Sequence, residues 1–141
     1  MNRTVILIKP DAVKRGVIGK IITRLENERL TLVAAKFMQL PEDIIDVWYE
    51  HHKEKDFFPE LKNFMTSTPI MAMLWEGEGV VEKVRNLTGP TDSKKAEKGS
   101  IRGDFGTDIQ MNAVHASEDH ADARREMDLI FHPHEIFQYE K

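Results

Sequence analysis

The chain has 141 residues, a formal net charge of −4 and no cysteine. At this length the simplest expectation is one domain, residues 1–141, burying about two-thirds of its unfolded surface without a disulfide or metal staple. Without thiols there are no disulfides, no thiolate catalysis and no cysteine-based zinc sites, and the acidic balance gives no basis for generic nucleic-acid binding.

Val5-Ile6-Leu7-Ile8 is a short apolar run before Lys9 and Asp11. It is too short for a signal peptide or a membrane span, so a soluble, cytoplasmic domain is expected. Its β-branched residues predict a central strand, which Pro10, lacking a donor, helps to end. From Val17 the apolar residues fall at Val17, Ile18, Ile21, Ile22 and Leu25, a helix with one buried stripe. Thr31 to Leu40 predicts a second strand, and Pro41 suits the first turn of a helix carrying Ile44, Ile45, Trp48 and Tyr49. A shorter helix follows Pro59, Ile70 to Trp75 makes a third strand, and Val80, Val81, Val84 and Leu87 mark a helix closing near Gly89-Pro90. Ala113 to His115 is a fourth, short strand. Ala123, Met127, Ile130 and Phe131 give the final helix, with Ser117 as its expected N-cap. Strand order cannot be read from this alternation, so α/β and α+β remain equally compatible with it.

Between Thr88 and Asp108 the chain is polar and aperiodic. Structureless loops of that length are uncommon in small domains unless they are functional, and this one holds Arg102 and two glycines flanking Asp104-Phe105. Three phosphate-site look-alikes fail. "GVIGK" lacks the P-loop spacing and its hydroxyl, Gly77-Glu78-Gly79 lacks a third glycine, and "DFG" has no H-R-D loop to accompany it. Phosphate handling, if present, falls to side chains.

Of the six histidines, His51, His52, His132 and His134 read as solvated surface groups without metal-ligand spacing. His115 stands at a strand-to-helix junction, where exposed amides favour anions. It either satisfies buried polar groups or performs chemistry. Glu126 lies on or beside the apolar stripe of the last helix. There it either reaches water or pairs with a histidine, lysine or arginine, and a carboxylate that orients an imidazole is what a reactive histidine requires. Lys9, mounted at the end of a buried strand, is a third anchor that is weak on its own.

Taken together, "IKPDAVKRG", "FFPEL", "WEG", "SIRGDFG" and "NAVHAS", collinear over nearly the whole chain, resemble the nucleoside diphosphate kinase family. The resemblance implies transfer of the terminal phosphate of a nucleoside triphosphate to a nucleoside diphosphate, by a ping-pong route through a phosphohistidine at His115. It implies that Lys9 binds the transferred phosphate with support from Tyr49, and that the base stacks on Phe57. Arg85, Thr91 and Arg102 would hold the β- and γ-phosphates, Asn112 would bond to sugar and phosphate oxygens, and Ser117 and Glu126 would position the ring. Magnesium is expected on the nucleotide, not on protein ligands. The family fold implies an α+β, ferredoxin-like, four-stranded antiparallel sheet with helices packed on one face, in a homo-oligomer.

Two departures stand out. Ala116 replaces the usual glycine after the histidine, which predicts slight strain if the backbone there is left-handed. The loop after Thr91 reads Asp92-Ser93 and Lys98-Gly99 where prolines are usual. In an ideal strand Asn112 and His115 face opposite sides, so both line one site only if Asn112 lies in irregular chain. The alternative reading is a non-catalytic nucleotide-binding scaffold. A nucleic-acid-binding domain is disfavoured by the charge.

Overall fold

The computed structural model describes residues 2–141. Its four strands are β1 (Arg3–Ile8), β2 (Thr31–Met38), β3 (Ile70–Glu76) and β4 (Val114–Ala116). They form one sheet in the order β2-β3-β1-β4, with every pairing antiparallel. β1 lies between β3 and β4, with Val5 opposite Leu74 and Leu7 opposite both Ala72 and His115. A strand paired on both edges and covered on both faces needs a continuous apolar run, and Val5–Ile8 is at most 1% exposed.

The helices are α1 (Pro10–Arg15), α2 (Ile18–Asn27), α3 (Glu42–Trp48), α4 (Phe58–Met65), α5 (Val80–Thr88), α6 (Ile101–Phe105) and α7 (His120–Ile130). Alternation along β1 divides the core in two. Ile6 and Ile8 pack with Met73 and Trp75 under α2 and α5 through Ile21, Leu25, Val80 and Val84. Val5 and Leu7 pack with Ala72 and Leu74 under α3, α4 and α7 through Ile45, Trp48, Leu61, Met65 and Ile130. Cutting Ile6 or Leu7 back to alanine would cost about 2–5 kcal/mol, because neither layer can close over the gap. The sheet order and the crossovers through α2 and α5 are the ferredoxin-like arrangement. Helices cover both faces, however: α3, α4 and α7 close the side that the simple fold leaves open.

Several local expectations change. Pro10 begins α1 as well as ending β1, and the helix stops at Gly16, whose left-handed φ of 72° lets its N–H reach back to the last turn. The polar stretch after Thr88 is not structureless. Asp92 caps a short 3₁₀ turn, and Ser100 caps α6 by accepting the Gly103 N–H at 3.0 Å. Ser117 is not the cap of α7. That role falls to Asp119, whose Oδ1 accepts the Asp122 N–H at 2.8 Å.

Candidate active site

β4 pairs only with β1, through three residue pairs. Val114 and Ala116 are buried in the core beneath α2 and α5, so His115 between them projects to the opposite face, towards α3 and α7. There the Trp48 ring meets the imidazole edge-on, with centroids 5.1 Å apart and planes at 73°. Glu126 approaches from α7 and is only 4% exposed. Its Oε1 lies 2.9 Å from His115 Nε2 and accepts the Ser117 hydroxyl at 2.7 Å. Ser117 Oγ in turn accepts the Val5 N–H at 3.0 Å, which ties the carboxylate to the central strand. A carboxylate only accepts, so Nε2 carries the proton and Nδ1 keeps its lone pair. Nδ1 has no hydrogen-bond partner among the described residues, and the ring lines an open cavity of about 900 Å³.

The cavity's other wall comes from the end of β1 and the chain leading into β4. Lys9 is 6% exposed, and its Nζ donates to Asn112 Oδ1 and to the Gln110 carbonyl, both at 2.8 Å. Burial lowers its pKa from the usual 10.5 to about 8, against the opposing pull of Asp11. Asn112 Nδ2 donates to the Thr91 carbonyl at 2.9 Å, which joins the loop to this wall. Arg102 is buried, with Nη1 on the Gly89 carbonyl and Nη2 on the Val114 carbonyl, each at 2.9 Å. Burial and then the neighbouring Arg85 lower its pKa to about 10, so it remains charged at neutral pH. Tyr49 also lines the cavity. Burial, and next the charge of Glu126, raise its pKa, so the phenol stays a donor. Phe57 stands at the mouth, 45% exposed.

Lys9, Tyr49, Phe57, Arg85, Thr91, Arg102, Asn112, His115 and Glu126 all line this one cavity, while Ser117 stands behind it as a brace. Asn112 and His115 share it because of a break in the chain. Ala113 has φ 73°, and the Val114 N–H bonds to the Asn112 carbonyl at 2.9 Å. That closes a γ-turn around a left-handed residue and cancels the odd spacing.

The family profile for nucleoside diphosphate kinase matches residues 2–136. The chain belongs to the nucleoside diphosphate kinase family. It is 44% identical over 141 residues to the nucleoside diphosphate kinase of Halalkalibacterium halodurans, covering 100% of this chain and 96% of that one. Against that of Thermus thermophilus it is 46% identical over 136 residues, covering 96% and 99%. Among solved structures it resembles the Halobacterium salinarum nucleoside diphosphate kinase in complex with CDP. The TM-score is 0.96 at 42% identity, covering 99% of this chain and 93% of that one. A family protein from Babesia bovis also scores 0.96 at 42% identity, with 100% and 95% covered. As a member of the nucleoside diphosphate kinase family, the chain is an enzyme that transfers phosphate between nucleotides.

For a nucleoside diphosphate kinase, the replacement of glycine by Ala116 carries no backbone strain. Ala116 lies in regular β4 opposite Ile6, and the left-handed non-glycine residues among those described are Arg29 and Ala113. Sequence reasoning misses several residues at the kinase site. Trp48 reads in sequence only as part of an apolar stripe. His52 reads as a surface group; it is half-buried, lies 5.3 Å from the Phe57 ring between centroids and has an enclosed Nδ1 without a partner among the described residues. Arg125 also lines the cavity, and its Nη2 donates to the Val47 carbonyl at 2.8 Å, pinning the end of α3 to α7. The position of Arg125 one residue before Glu126 is the available signal.

Proposed function

We propose that this enzyme works by ping-pong phosphotransfer with His115 as the nucleophile. The Nδ1 lone pair forms a bond to the terminal phosphorus of a nucleoside triphosphate as the bond from that phosphorus to its β-bridging oxygen breaks. The electron pair leaves with the diphosphate. In the return half-reaction, a terminal oxygen of the acceptor diphosphate takes the phosphoryl group, and the N–P electron pair returns to the ring. No proton has to move. Nε2–H stays on Glu126, whose negative charge compensates the positive charge on the phosphorylated ring. The observation that carries this reading is the 2.9 Å contact of Nε2 with a carboxylate itself held by Ser117.

Charge in the transition state spreads over the outer phosphate oxygens, so fixed cations and donors can supply most of the stabilisation. Lys9 is assigned the transferred group, with Tyr49, which lines the same cavity, as its support. Arg85, Arg102 and Thr91 are assigned the β- and γ-phosphates, and Asn112 the sugar and phosphate oxygens. Phe57 offers a π-face to the base, which favours broad nucleotide acceptance. Magnesium enters on the phosphates of the nucleotide. We assign residues 1–141 to a single domain working in the cytoplasm; no helix among the described residues is long and apolar enough to cross a membrane. A homo-oligomer is proposed as well, since Phe37 on edge strand β2 and Phe137 beside it are more than half exposed.

The test uses γ-labelled ATP with magnesium and no acceptor. Native protein should take up label that a His115→Ala variant does not, and should release it to added GDP. A folded native protein that binds ATP yet takes no label would leave only a non-catalytic binding module.

A further inference from the structure

Asp11 is a buried carboxylate with no part in the chemistry above. It is 7% exposed, in the first turn of α1, and two residues from Lys9. Its Oδ2 accepts the Ala113 N–H at 3.0 Å, whereas Oδ1 is enclosed without a partner among the described residues. On the other side of the same residue, the Lys9 N–H donates to the Ala113 carbonyl at 2.9 Å. One tripeptide, Lys9-Pro10-Asp11, therefore grips both polar groups of Ala113, and the ring of Pro10 stiffens the link between the two contacts. Ala113 is the left-handed centre of the γ-turn, a conformation that residues with a Cβ rarely adopt unless their surroundings impose it.

We propose that Asp11 is a positioning residue for phosphotransfer: its grip on the Ala113 N–H holds the left-handed turn that brings Asn112 and His115 to one cavity. The assignment rests on the phosphohistidine reading. If the turn relaxed to an ordinary right-handed or extended angle, the odd spacing would return. Asn112 would then swing away from the cavity and from the Lys9 Nζ that it accepts. Burial raises the pKa of Asp11, and neighbouring backbone amides and Lys9 counter that rise. The carboxylate is thus held in a costly setting where the backbone contact is its principal partner.

The experiment separates this role from bulk stability and from any effect of Asp11 on the charge of Lys9. The rate of label uptake from γ-labelled ATP is measured by rapid quench for the native protein, Asp11→Ala, Ala113→Gly and the double variant, with folding followed by circular dichroism. Glycine adopts the left-handed turn without assistance. The loss caused by Asp11→Ala should therefore be smaller, by about tenfold, in the Ala113→Gly background than in the native one. Losses equal in the two backgrounds would overturn the assignment, since effects through Lys9 or global stability are not relieved by a glycine in the turn. If Asp11→Ala does not fold, Asp11→Leu, close in size and unable to accept the Ala113 N–H, is run in the same two backgrounds and read by the same rule. Native protein that takes no label would instead refute the phosphohistidine reading on which the proposal stands.

Discussion

Lys9 makes a stability prediction of unusual sign. Its ammonium is buried, and the folded state lowers its pKa from 10.5 to about 8. Below pH 8 the folded protein holds a cation that the unfolded chain hydrates better, so the group opposes folding there. Between about pH 8 and 10.5 the folded state has released this proton while the unfolded state still binds it, so stability rises with pH across that window. Integrating the difference in bound protons from about pH 7.5 to about pH 9.5 gives a gain of about 2 kcal/mol. Lys9→Met supplies the reference, because it keeps the stem and removes the titration. Urea unfolding of both proteins at the two pH values gives a double difference from which all other groups cancel. Native protein should gain on the variant as pH rises, and by less with saturating magnesium-ATP, since on the proposed binding mode phosphates beside Nζ would favour the ammonium. A double difference of zero, or of opposite sign, would refute the account of Lys9 as a cation strained by burial.

Glu126→Gln should slow phosphohistidine formation by roughly tenfold to a hundredfold, the scale of one lost charge-assisted hydrogen bond, with a far smaller change in the KM for ATP. An unchanged rapid-quench rate would dismiss the tautomer argument. Phe57→Ala should raise the KM for purine and pyrimidine nucleotides by similar factors, on a scale of about 1–3 kcal/mol of lost stacking; a purine-only effect in steady-state assays would point to hydrogen-bond readout. Ala116→Gly should destabilise the protein by about 0.5–1 kcal/mol in urea melts, because β4 is regular there and glycine only adds freedom to the unfolded chain. Stabilisation by that change would mean that the strain sits at Ala116 after all.

The strands and the longer helices are legible because burial leaves a direct mark on sequence: a β-branched run for β1, and one apolar stripe each for α2 and α5. What escapes are features settled by contacts distant in sequence. Pro10 looks like a stop because only tertiary packing keeps the six residues of α1 helical. Ser117 has the right chemistry for a cap, but the register of β4 on β1 places its hydroxyl at Val5 and Glu126 instead. The candidate site is legible through the family resemblance more than through spacing. Its residues lie on several separate stretches of chain, and no local pattern brings Lys9 to Asn112 or Trp48 to His115. The left-handed turn at Ala113 is foreseeable only as a requirement that Asn112 leave the strand. Alanine there gives no hint of a positive φ. The sequence points instead to strain at Ala116, where β4 is regular.

The shortness of β4 has a consequence for how the enzyme fails. Three residue pairs on one edge hold the strand that carries His115, and the same strand offers the Val114 carbonyl to Arg102. Fraying of that edge would release the arginine, loosen the serine brace at Val5 and free the ring together, while the central strands stay paired. Such an opening costs much less than melting the whole sheet. Denaturant should therefore extinguish turnover before it disturbs the bulk of the fold. On the proposed binding mode, a nucleotide touching Lys9 on one side and the histidine on the other would act as a splint across the seam, so occupancy should protect the working enzyme.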